Sequence, residues 1–191
     1  MSTEILEKLK SGNQRFTSRD FSQRTVVPKD LAGGQSPHTI VITCADSRVP
    51  PELIFDQDLG DLFVIRVAGN TSTDEAIGSS EYAVAHLGSK VLMVLGHTSC
   101  GAVGAAISKR VDGQDLPTKY LDSVVEPIFS AVDHCKEGGH DDMTQAVVEE
   151  NVKHQVKELN NSPILKGAID EGKLTVVGAV YHLDSGEVRY L

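Results

Sequence analysis

Five residues in two short stretches have the types and spacing of a metal centre. Cys44, Asp46 and Arg48 close the run Thr39-Ile40-Val41-Ile42-Thr43-Cys44-Ala45-Asp46-Ser47-Arg48. His97 and Cys100 close the run Lys90-Val91-Leu92-Met93-Val94-Leu95-Gly96-His97-Thr98-Ser99-Cys100-Gly101. Zinc takes thiolate sulfur and imidazole nitrogen in tetrahedral sites, and a catalytic site keeps one position for water or substrate. Cys44, His97 and Cys100 together would hold one zinc and leave that position free. His97 and Cys100 alone are a weak sign, since a buried cysteine and a satisfied histidine often sit close. The distant Cys44 strengthens it, and Asp46 and Arg48 strengthen it further. A carboxylate beside a metal can accept a hydrogen bond from a bound water or ligate directly. A guanidinium beside that carboxylate keeps it ionised and fixes its direction. Without the cysteine, Ala45 to Arg48 would read as an Asx-type turn with a surface arginine.

Both runs are short, aliphatic or β-branched and closed by small polar residues, as a buried strand is. Each sets its Cys or His just past the strand's end, and ligands gather at the carboxyl ends of strands in an open parallel sheet. Cys100 falls near a helix N-terminus, where the macrodipole favours a thiolate. Gly96 and Gly101 bracket this turn, which suggests tight backbone geometry there.

The remaining pattern supplies a scaffold. An amphipathic helix is expected over 3–17, with Ile5, Leu6, Leu9 and Phe16 on one side. Thr17 to Pro37 is a polar loop with room for one helical turn, and a helix tethered by such an arm suits packing on a partner subunit. Strands are expected at 38–44, 61–67, 90–95 and 174–183, the last turning at Asp184-Ser185-Gly186 into a short hairpin arm. Helices are expected from Pro50-Pro51 to Phe55, over 74–87, from Cys100 to about Lys109, and over 120–136 and 142–159. A last one starts at Ser162-Pro163, an N-cap followed by Pro at the first helical position. Residues 111–119 read as a loop. Strands alternating with helices give an α/β fold with a central, mostly parallel sheet flanked by helices. With no repeat, low-complexity tract or linker, residues 1–191 read as a single domain.

Composition narrows the function classes. The 191 residues carry a net charge of −9 and no basic stripe, which excludes a nucleic-acid partner. No apolar run is long enough to span a membrane. The N-terminus lacks the basic-then-apolar order of a secretory signal. Three cysteines without framework spacing fit a reducing compartment. The expectation is a cytoplasmic protein.

Cys44-Ala45-Asp46-Ser47-Arg48, followed further on by His97-Thr98-Ser99-Cys100-Gly101, resembles the β-class carbonic anhydrases. Arg66-Val67-Ala68-Gly69-Asn70, Gly33-Gly34-Gln35-Ser36-Pro37 and Val177-Gly178-Ala179-Val180-Tyr181 are also similar to segments of that family. The resemblance implies zinc-dependent, reversible hydration of CO2 to bicarbonate and a proton, by zinc-bound hydroxide oriented by an Asp-Arg dyad. It implies one Zn2+ per chain on Cys44, His97 and Cys100, with Asp46 and Arg48 as the catalytic dyad. Gln35 would hydrogen-bond substrate or bicarbonate, and Gly101 would offer a backbone N–H. Phe63, Ala68 and Tyr82 match positions that wall the CO2 pocket, often across a dimer interface. The family is built as dimers or multiples of dimers, the N-terminal helix laid over the partner. In some members the dyad Asp displaces water and becomes a fourth zinc ligand, with bicarbonate in a separate pocket made by Trp, Arg and Tyr. Arg66 and Tyr181 match two of these positions, but Val41 stands at the third and the chain has no Trp. The open form, with water on zinc, is therefore expected.

Three rivals stand beside this reading. A CS2 or COS hydrolase would use the same centre with a reshaped entrance. A bicarbonate-sensing or structural zinc protein would bind metal without turnover. A redox enzyme using Cys44 and Cys100 lacks a CxxC. The cluster of His134, Cys135 and His140 reads as a solvated loop at a helix end rather than a second metal site. His86 and His154 read as surface histidines, and neither His38 nor His182 is singled out as a proton shuttle. Asp141, Asp142, Glu149 and Glu150 read as a solvated face. Gly101 to Gly104 lacks the Lys-Ser/Thr ending of a phosphate loop.

Overall fold

The computed structural model describes residues 2–136, 138–139 and 142–191. Five strands form one sheet: β1 (Thr39–Thr43), β2 (Leu62–Arg66), β3 (Val91–His97), β4 (Thr175–Tyr181) and β5 (Val188–Tyr190). Their order is β2-β1-β3-β4-β5. The first four run parallel, and β5 pairs antiparallel with β4 as the return arm of the C-terminal hairpin. β1 and β3 are buried at every position, which is why both read as unbroken apolar runs. Side chains alternate across the sheet, so each run feeds two cores. Ile40, Ile42, Leu92 and Val94 face one cluster, and Val41, Met93 and Leu95 face the other.

Helices α1 (Ser2–Ser18), α2 (Pro51–Ile54), α3 (Asp74–Leu87), α4 (Gly101–Asp112), α5 (Lys119–Val125), α6 (Phe129–Lys136), α7 (Met143–Glu158) and α8 (Pro163–Asp170) surround the sheet. Helix α1 lies on the face of Val41 and Met93 through buried Leu9. Its closest approach is at Gly12, where an added Cβ would fall 1.8 Å from the Phe55 carbonyl oxygen. The neighbouring Asn13 amide donates to Ile54 O at 3.2 Å and Gly186 O at 2.9 Å, and its oxygen accepts from Val188 N. Apolar periodicity alone does not mark this polar clamp. The arm after α1 is held by acids: Asp56 accepts from Arg15 Nε and Ser22 N, and Asp58 accepts from Thr25 N and Val26 N.

Several expected boundaries move. The helix expected over 120–136 is broken: Glu126–Ile128 is a 3-10 turn between α5 and α6. Pro127 lacks the N–H that would continue the α-helical ladder. The helix after Cys100 runs to Asp112, ending at Gly113 with φ 69°, so the loop begins later than expected. The strand at 90–95 continues to His97, because β4 pairs with it through His97↔Tyr181. His97 is therefore the last residue of β3, while Cys44 lies just beyond β1. Gly96 is required by close approach, since an added Cβ would meet Val152 Cγ2 at 2.6 Å. Gly101 faces open space; the left-handed residue of this turn is Ser99, at φ 56°. Among the described residues, no helix is long and apolar enough to cross a membrane.

Candidate metal centre

β1 and β3 are hydrogen-bonded neighbours in register, Thr43 opposite Leu95, so their carboxyl ends deliver Cys44 and His97 to one point. The turn after β3 brings in Cys100 at the N-cap of α4. The ligating atoms of Cys44, His97 and Cys100 lie within 4.8 Å of one another, and all three residues are buried. The two sulfurs are 3.9 Å apart.

The hydrogen bonds set the donor character of each group. His97 Nδ1 lies 2.9 Å from Thr98 O. A carbonyl only accepts, so Nδ1 carries the proton and Nε2 keeps its lone pair. Nε2 is buried and has no hydrogen-bond partner. A buried, unpartnered nitrogen beside two thiols is costly unless something occupies the space between them. Cys44 is held below the usual thiol range, first by a hydrogen bond from Cys100 and further by the backbone N–H groups of Gly69 and Asp46. Cys100 is pushed up by that same contact and by burial. Two thiols sharing a proton beside a free imidazole lone pair make a donor set that fits a zinc-type ion.

Asp46 and Arg48 stand next to this cluster. Arg48 Nε donates to Asp46 Oδ1 at 2.9 Å and Nη2 to Oδ2 at 2.7 Å, while the Arg48 backbone N–H also reaches Oδ1. The Arg48 side chain holds the Asp46 carboxyl well below the usual carboxylate range. Asp46 Oδ2 is 4.0 Å from His97 Nε2. Sequence patterning did not single out how the loop itself is held. Arg66 Nε donates to Cys44 O and Nη2 to Asp46 O, so this side chain spans the ligand loop. Gly69, in a turn at residues 68–70, donates its N–H to Cys44 Sγ at 3.4 Å.

Ala68 and Gly101 adjoin the centre through their neighbours Gly69 and Cys100. The other expected pocket residues lie elsewhere in the chain. Gln35 lines a depression with Pro28, Leu31 and Leu59, at the amino ends of β1 and β2. Phe63 pairs with Ile40 near those same ends and meets Tyr82 with ring centroids 6.4 Å apart. Tyr82 is 50% exposed. Tyr181 and Val41 share the core cluster on the α1 face. His182 lines the depression beside Arg48. Cys135 is buried in the larger core cluster, and His140 and Asp141 lie outside the described residues. Among the described residues, Cys44, His97 and Cys100 are the one group able to hold a metal in this way.

A parallel sheet with Cys, His and Cys at adjoining strand ends, flanked by a paired Asp and Arg, defines an α/β protein with a candidate metal centre. Residues 39–188 match the family model for carbonic anhydrase. Carbonic anhydrase 2 of Mycobacterium tuberculosis is 41% identical over 184 residues, covering 93% of this chain and 87% of the relative. The carbonic anhydrase of Synechococcus elongatus is 33% identical, covering 96% and 70%. A tetrameric β-carbonic anhydrase of Sordaria macrospora superposes with a TM-score of 0.77 at 31% identity, covering 85% of this chain and 84% of the other. The Coccomyxa β-carbonic anhydrase, solved with acetazolamide, gives 0.75 at 29% identity, covering 100% and 82%. The chain therefore belongs to the carbonic anhydrase family, in its β class.

Proposed function

We propose that this protein is a zinc-dependent carbonic anhydrase that interconverts CO2 plus water with bicarbonate plus a proton. Cys44, His97 and Cys100 would hold one zinc per chain, leaving the fourth position for water. When bound there, zinc supplies the Lewis acidity that brings the pKa of a water to roughly 7. The observation that carries the reading is Asp46 Oδ2, gripped by Arg48 and 4.0 Å from the unpartnered Nε2 of His97.

While ionised, Asp46 can only accept hydrogen bonds. It takes the hydrogen bond of the attacking water and so turns that water's lone pair toward CO2. Arg48 keeps Asp46 charged and fixes its direction with two parallel bonds. For Asp46 to become a fourth ligand it would have to turn away from Arg48, so the intact pair supports the open arrangement. Gly101 N–H binds substrate oxygen at the N-terminus of α4.

Gln35, Phe63 and Tyr82 serve this chemistry from a second copy. Within one chain Gln35 and Phe63 lie toward the amino ends of β1 and β2, away from the ligands at the carboxyl ends of β1 and β3, and Tyr82, which meets Phe63, is half exposed. The unit is a homodimer or a multiple of dimers, each chain a single domain over 1–191 with its N-terminal arm packed on the partner. Three buried, free cysteines support a cytoplasmic setting.

Stopped-flow CO2 hydration by zinc-loaded protein, from about pH 6.5 to 9 around the expected water pKa, tests the reading. Sustained activity to neutral pH is expected. A steep collapse below about pH 8 would instead mean closure by Asp46. No turnover with one zinc per chain would overturn the reading in favour of a CS2 or COS hydrolase or a bicarbonate sensor.

A further inference from the structure

Helix α7 contributes no ligand and no dyad residue, yet it buries two amide side chains, Asn151 and Gln155, at 0% and 1% exposure. An uncharged amide in a core needs partners for both its N–H2 and its oxygen. These two find them in a chain that leads to the metal centre. Gln155 Nε2 donates to Pro127 O at 3.1 Å and to Asn151 Oδ1 at 3.0 Å. Gln155 Oε1 accepts from Ser72 N at 2.7 Å, and its backbone carbonyl accepts from Ser72 Oγ. Asn151 Nδ2 donates to Gly69 O at 2.9 Å. The turn at 68–72 is thus held at both ends by one helix.

Two consecutive residues of that turn are left-handed, Gly69 at φ 78° and Asn70 at φ 50°. Such a backbone persists where its surroundings determine it. The space is closed on the far side too: an added Cβ at Gly69 would meet Ile128 Cδ1 at 2.7 Å. What this conformation achieves is the donation of Gly69 N–H to Cys44 Sγ.

We infer that Asn151 and Gln155 are positioning residues for the metal centre, holding the 68–72 turn so that the Gly69 amide stays on the sulfur of Cys44. The inference rests on the zinc reading above. An N–H donated to a ligating sulfur fixes the direction in which that sulfur presents its lone pairs to the metal and tunes its donation. Partners beyond the ligands typically matter by 10–100-fold in metal affinity or activity when removed. Asn151→Asp keeps the shape but replaces the donor to Gly69 O with an acceptor. Gln155→Glu keeps the acceptor for Ser72 N and loses both donors.

The test compares these variants with Val147→Ala, which opens space on the same buried helix without touching the amide chain. Zinc affinity is read by chelator competition, and the sulfur-to-metal charge-transfer band by absorbance of the cobalt(II)-substituted protein. Asn151→Asp and Gln155→Glu are expected to lower affinity tenfold or more and to shift the band, while Val147→Ala leaves both unchanged. Unchanged affinity and band in folded Asn151→Asp, or equal changes in Val147→Ala, would overturn the inference. Should both amide variants fail to fold, the wild-type protein loaded with cadmium-113 decides. A scalar coupling between the metal and the Gly69 amide proton, with slow exchange of that proton, is expected. Absence of coupling together with rapid exchange would overturn the inference. Wild-type protein that binds neither zinc nor cobalt would instead remove the zinc reading on which it rests.

Discussion

Arg48 grips both carboxylate oxygens of Asp46, and its loss separates two roles. Arg48→Ala is expected to keep zinc bound, since no ligand is touched, and to lower kcat/KM by roughly 10–100-fold. Metal content by mass spectrometry alongside stopped-flow rates checks this; wild-type rates in the variant would reject the dyad. The same pair sets a pH response. Asp46 lies below its ordinary value when folded, so its contribution to stability is complete at neutral pH. That contribution begins to fade only as pH drops below about 4, the unfolded value, and is lost as pH falls through the lower folded value. A carbon-13 titration of the Asp46 carboxyl is expected to show no step between about pH 3.5 and 6, around the ordinary carboxylate value of about 4. In Arg48→Ala the step should move back toward that ordinary value.

At the scale of elements, β3 and α7 press together at Gly96, where a methyl group would fall 2.6 Å from Val152 Cγ2. Gly96→Ala is therefore expected to destabilise by about 1–3 kcal/mol as overpacking, and to disturb zinc binding because His97 follows directly. Thermal unfolding and metal content read the two effects separately. The N-terminal arm depends on buried Asp56, which receives Arg15 at 2.6 Å and the Ser22 amide at 2.9 Å. Asp56→Ala should cost about 2–3 kcal/mol in charge-assisted hydrogen bonds. It should also release the segment around Ser22 to faster amide exchange; an arm as protected as before would contradict this account.

At the scale of the whole molecule, ligands and dyad gather at one end of the sheet and Gln35, Phe63 and Tyr82 toward the other. The composite site proposed above would account for that split, and it predicts that dilution inactivates. Specific activity measured across protein concentration, together with mass from light scattering, should fall as monomer appears. A fully active monomer would require Gln35 and Tyr82 to have no part in catalysis.

Residue chemistry was legible along the chain because ligand type, spacing and strand patterning are local. Cys44, Asp46, Arg48, His97 and Cys100 stand out from their neighbours, and fully buried strands announce themselves as unbroken apolar runs. The elements carrying them and the 74–87 helix followed from local periodicities, and the parallel sheet from the alternation of strands and helices; the strand order β2-β1-β3-β4-β5 did not. The helix expected over 120–136 breaks at Pro127, which has no N–H to continue the ladder. Other features were decided only when distant segments met. The burial that leaves His97 Nε2 without a hydrogen-bond partner comes from the segments packed around it, although its Nδ1 is held by the adjacent Thr98 O. The Arg66 grip on Cys44 O and Asp46 O joins residues 20 and more apart. The link from Asn151 to Gly69 spans 82 residues. Hydrogen bonds of this kind leave no periodic trace, since a buried Asn or Gln on a helix looks like any polar residue until the partner carbonyl is in place. The sequence by itself determined which groups could bind a metal and which strands would carry them; the tertiary structure alone decided how those groups are oriented, protonated and held, because orientation depends on contacts between segments far apart in the chain.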